Sequence, residues 1–102
     1  MIRGTTPTHS FILPFSVDMI DDCSIAYAQK GHLKLVKHFN DCVLQDNVIS
    51  TTLNQDETLG FNPCTPYVEI QLKVKLKSTQ EVLATDIFKK SLKDILDEEV
   101  ME

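Results

Sequence analysis

Residues 67–78 read "YVEIQLKVKLKS", and their alternation decides the fold. Val68, Ile70, Leu72, Val74 and Leu76 fall at every second position, with Glu69, Gln71, Lys73, Lys75 and Lys77 between them. Successive strand side chains point to opposite faces, so this pattern covers a core on one side and meets water on the other. A helix would scatter the same five apolar residues around its circumference. The stretch predicts a strand long enough to be central in a sheet.

Similar signals recur along the chain. "HSFILPF" is rich in β-formers, and Pro14 interrupts its donor row, which suits an edge strand or a bulge. "CSIAYAQ" puts Cys23, Ile25 and Tyr27 on one face, and after Lys30-Gly31 "HLKLVKHF" completes a hairpin. "CVLQ" leads to the turn pair Asp46-Asn47, and "VISTTL" follows with Ile49 and Leu53 in phase. "EVLATDIFKKSL" is the last candidate strand. Val82, Ala84 and Phe88 agree in phase there while Leu83 and Ile87 oppose them, so the segment needs a bulge near Asp86 or burial on both faces.

One segment breaks the β pattern. In "NQDETLGF", Asn54 is a candidate N-cap, Glu57 completes a capping box and Gly60 stands at the C-cap, which predicts a single helical turn. The tail "KDILDEEVME" is acidic, and residues 94–102 read as a solvated end, extended or as a short helix using Leu92, Ile95 and Leu96. Six or seven short strands with turns about every 8–12 residues predict an all-β fold. The expected form is an antiparallel immunoglobulin-like β-sandwich of about seven strands, with the one-turn helix before the sixth. Tryptophan is absent, and Cys23 has no cysteine facing it on "VEIQLKV", so this is not an antibody-type domain.

At 102 residues the chain is expected to form one domain, 1–102. Such a chain buries roughly 65% of its unfolded surface, enough for a core without metal or disulfide staples. A net charge of −5 argues against a general binder of nucleic-acid backbones. No apolar run is long enough to cross a bilayer, and Arg3 is followed by Gly and Thr rather than an apolar leader. The expectation is synthesis in a cytosol. Cys23, Cys42 and Cys64 are odd in number, form no CxxC pair and read as reduced and structural.

The search for chemistry returns no catalytic, cofactor-binding or metal-binding residue, and a non-enzymatic protein is expected. His9, His32 and His38 have 22 and 5 residues between them. The last two fall on one strand face but about 20 Å apart, too far to share a metal ion. A Cys42–His38 nucleophile pair has no flanking motif. Asp21-Asp22 and Asp56-Glu57 lack the further oxygen ligands that calcium needs. Gly4, Gly31 and Gly60 are too dispersed for a phosphate loop. Lys73, Lys75 and Lys77 have no interleaved aromatics for base stacking, and they read as protection against edge-to-edge aggregation.

The first residues, "IRGTTPTHSF", form a stiff lead-in to the first strand. Gly4 permits unusual backbone angles, Thr6 and Pro7 favour extension, and Ile2 is an early apolar anchor. The run "IRGTTPTHSFILPF" resembles the "RGDTPT" openings of small prophage-encoded proteins of Firmicutes. More distantly, it resembles the N-terminal immunoglobulin-like domain of siphophage upper baseplate proteins. The pieces "IAYAQ", "TLNQDETLGF" and "VEIQLKV" extend the prophage resemblance over most of the chain. The resemblance implies a phage-derived structural or interaction module, a virion, tail or baseplate part working through protein–protein contacts. Edge strands near Pro14 or at the last strand are where a protein partner or a second copy would add. The alternative is a small-ligand or carbohydrate-binding sandwich, which would need exposed aromatics; of seven, Tyr27, Phe39 and Phe61 read as partly core-bound and only Tyr67 as a rim candidate.

Overall fold

Val68, Ile70, Leu72 and Val74 are all buried on one face of a ten-residue strand, β6 (Tyr67–Leu76), while Lys73 between them is exposed. In the computed structural model, which describes residues 1–101, β6 is the centre of the larger of two antiparallel sheets. On one side it pairs with β2 (Ile20–Gln29), which continues through the Lys30-Gly31 turn into β3 (His32–His38). On the other it pairs with two short strands, β7 (Val82–Ala84) and β8 (Phe88–Ser91). The smaller sheet has the order β1-β5-β4, from β1 (Thr8–Ile12), β4 (Val43–Gln45) and β5 (Val48–Thr52). The fold is therefore all-β and sandwich-like, with eight strands among the described residues.

The core lies between the sheets. Cys23, Ile25 and Tyr27 of β2 join the apolar row of β6 against Leu13, Ile49, Leu53 and Phe61. Each fully buried aliphatic or aromatic side chain contributes about 1.5–3 kcal/mol by leaving water. The Cα radius of gyration is 14.5 Å, above the roughly 13 Å expected for a compact chain of this length. The body is only 17 Å thick along its shortest axis, and Ile12, Leu83, Ile87 and Phe88 are exposed.

Helix α1 (Gln55–Leu59) links β5 to β6 and is capped as its sequence predicts. Asn54 Oδ1 accepts the Glu57 N–H at 2.8 Å, and Glu57 Oε1 accepts the Asn54 N–H at 2.8 Å. Glu57 also pairs with Lys37 of β3 at 2.7 Å, tying the helix to the larger sheet.

Three expectations need correction. In the last β segment, Thr85, Asp86 and Ile87 face only Leu72 and Gln71 across the ladder. The bulge near Asp86 is present, but it splits the segment into two strands and changes the phase. Leu83 lies opposite Val74 and Phe88 opposite Ile70, so these two share the inner face and Val82 and Ala84 point outward. Burial on both faces does not occur, for β7 and β8 are exposed throughout. A second bulge, at Lys34, sets His32 opposite Gln29 but His38 opposite Ser24. These histidines thus take opposite faces of β3, not one.

The third correction concerns the two ends. Ile2 is half-exposed; the anchor is Arg3, whose residue is only 6% accessible. Its Nε donates to Phe61 O at 2.9 Å and its Nη2 to Leu59 O at 2.7 Å. Its Nη1 reaches Asp94 at 2.6 Å and Glu98 at 2.8 Å. The tail forms no helix among the described residues and is largely solvated as expected, but Asp94 and Glu98, each more than half exposed, also pair with Arg3. The hydrogen bond to Glu98 raises the Arg3 guanidinium's already high pKa against the opposing effect of burial, and the bond from Arg3 holds the Asp94 carboxyl below its usual range. Residue 102 of the predicted tail lies outside the described residues. Gly4 has a φ of 78°, and an added Cβ would meet Leu59 Cδ2 at 3.3 Å, so glycine suits this passage over the helix.

Candidate interaction edge

The smaller sheet ends in a strand with one open side. Leu53 N–H donates to Pro7 O at 3.0 Å and Leu13 N–H to Asn47 O at 2.7 Å. Bonded pairs recur at every second residue of an antiparallel ladder, so His9 and Phe11 direct their backbone groups to Thr51 and Ile49. Thr8, Ser10 and Ile12 direct theirs away from β5. Among the described residues, β1 has β5 as its only strand neighbour. Pro14 falls just past the strand and leaves its donor row intact.

Across the opening run β7 and β8, antiparallel to β1. Phe11 meets Phe88 with ring centroids 6.1 Å apart. Between the strands lies a trough of about 560 Å³, floored by Phe11, Leu13, Ile70 and Leu72 and bordered by Phe88 and Lys90. It continues past Leu13 and Thr85 towards Phe15 and Leu83. The Asp86 bulge shapes one wall of this surface, because it sets Phe88 and Lys90 on the same inner side as Leu83.

His9 sits at the other end of the trough. Its Nδ1 is 2.7 Å from the hydroxyl of Tyr27, which is itself buried. Burial lowers the His9 pKa, and the positive charges of Lys90 and the N-terminal ammonium lower it further. Lys90 lines that end of the trough. Tyr67 lies on the outer face of β6, with Lys89 Nζ 4.7 Å from its ring centroid.

His32 and His38 are exposed, and Glu57 of the Asp56-Glu57 pair is occupied by its cap and by Lys37. No group of three or more His, Cys, Asp or Glu able to hold a metal ion occurs among the described residues. Cys42 is next to Cys23 across the sandwich, and burial pushes both thiols up, Cys23 to about 12. Such thiols are protonated and poor nucleophiles. Phe39 is exposed, while Tyr27 and Phe61 are buried. No described helix is long and apolar enough to cross a membrane.

Sequence reading missed the Arg3 clasp and the trough. The only signal for the first was an arginine beside Gly4 in an otherwise uncharged opening. The signal for the second was the conflicting phase around Asp86. No protein-family model, curated protein or solved structure matches the chain.

Proposed function

We propose that this chain is a non-enzymatic interaction module of phage origin, with an immunoglobulin-like arrangement of its sandwich, that serves as a virion, tail or baseplate part through protein–protein contacts. The observation that carries the interaction reading is β1, an edge strand open beside an apolar trough. Exposed strand edges attract further strands, and proteins commonly guard them with charge, proline or shortness. Here β3 carries Lys34 and Lys37, β8 carries Lys89 and Lys90, and β4 and β7 are three residues each. The five residues of β1, "THSFI", contain no Asp, Glu, Lys, Arg or Pro.

The phage assignment rests on the resemblance of the opening and of the three internal pieces. Mass spectrometry of particles released after prophage induction in the source strain tests it. Peptides of this chain should co-purify with tail proteins; their absence from particles and tail intermediates would remove the virion role.

A further inference from the structure

We infer that the β1 edge receives an extended segment of another protein, apolar at alternate positions and bearing a carboxylate where it passes Lys90. This rests on the interaction-module reading and names the partner's chemistry. Three features select that occupant. The outward backbone groups of Thr8, Ser10 and Ile12 fit an added strand, which supplies main-chain hydrogen bonds. The floor of Phe11, Leu13 and Leu72 takes side chains from one face of such a strand, and these recur at every second residue. Lys90, which lines the trough, supplies positive charge at the His9 end. A second copy answers less well: its β1 brings no carboxylate to Lys90, and each copy carries a net charge of −5.

The test is a displayed library of random twelve-residue peptides, selected on the full chain and followed by amide hydrogen exchange with the enriched peptides. The expected peptides alternate apolar residues and carry Asp or Glu, and they protect the Ser10 and Ile12 amides at least tenfold. Ser10→Pro removes one outward N–H without touching the bonds to β5, and binding should fall tenfold or more. Lys90→Glu should cost acidic peptides about as much and restore binding to lysine-bearing counterparts, which keeps the test decisive if Ser10→Pro fails to fold. Enrichment of nothing, or of peptides that leave Ser10 and Ile12 unprotected, overturns the inference. In the second of these cases the module still binds, by another face, and the broader reading stands. Protection of Ser10 that rises with protein concentration, without peptide, assigns the edge to a second copy and also overturns it.

Discussion

Arg3 Nη1 lies 2.6 Å from Asp94 Oδ1, across 91 positions of sequence. The same side chain holds the carbonyls of Leu59 and Phe61, so one guanidinium joins the first residues, the end of α1 and the tail. Arg3→Ala leaves these acceptors without their donor and should destabilise the fold by about 2–3 kcal/mol. Arg3→Lys should recover only part of this, because an ammonium cannot reproduce the planar fork. Urea midpoints of the three proteins check both outcomes, and equal midpoints would show that the clasp is idle.

The burial of His9 gives stability a pH dependence of known sign. Its folded-state pKa is depressed, so its contribution is complete above the ordinary histidine value of 6.5. It is lost as pH falls from there through the lowered folded value, because the unfolded chain binds the proton first. Nuclear magnetic resonance titration should place the His9 midpoint below 6.5. In Lys90→Gln the midpoint should rise and the acid loss of stability should shrink.

Asn54 and Glu57 satisfy each other's backbone donors at the start of α1. Asn54→Ala should cost about 1 kcal/mol. Glu57→Gln keeps an acceptor for the Asn54 N–H but gives up the charge facing Lys37, whereas Glu57→Ala loses both. A double-mutant cycle between Glu57→Gln and Lys37→Met should return a coupling of about 1 kcal/mol or less. A thermal melt series reads all of these.

The three cysteines should separate by reactivity. Cys64 is exposed, Cys42 half-buried and Cys23 buried, with burial holding the last two thiols protonated. Brief iodoacetamide treatment of the native protein should label Cys64 first and Cys23 last. Peptide mapping reads the order, and early labelling of Cys23 would contradict the packing between the sheets.

Much of this was open to reading because the forces concerned are local. The alternation of β6 follows from two-residue periodicity, the Lys30-Gly31 and Asp46-Asn47 turns from Gly31 and Asp46, which take positive φ more readily than most residues, and the cap from an Asn-x-x-Glu spacing. The residues that were misread depend on distant partners. Leu83 and Phe88 share a face because Thr85 donates its N–H to Leu72 O and accepts the Leu72 N–H on its hydroxyl, which admits an extra residue into the strand. Arg3 finds its carboxylates at the far end of the chain, and no spacing rule connects them. The trough exists only because two sheet edges from different halves of the sequence stop short of each other.

The pairing of the two ends carries a mechanical consequence. Ile2 bridges Lys93 in parallel, with the Met1 amine on Ser91 O, Arg3 N–H on Lys93 O and Lys93 N–H on Met1 O. Tension applied at the first residue and beyond the last strand draws these parallel segments lengthwise past each other. Their hydrogen bonds and the guanidinium fork then bear the load together instead of opening one after another. The join behaves as a latch in shear, shielding the sandwich behind it until the whole set gives way.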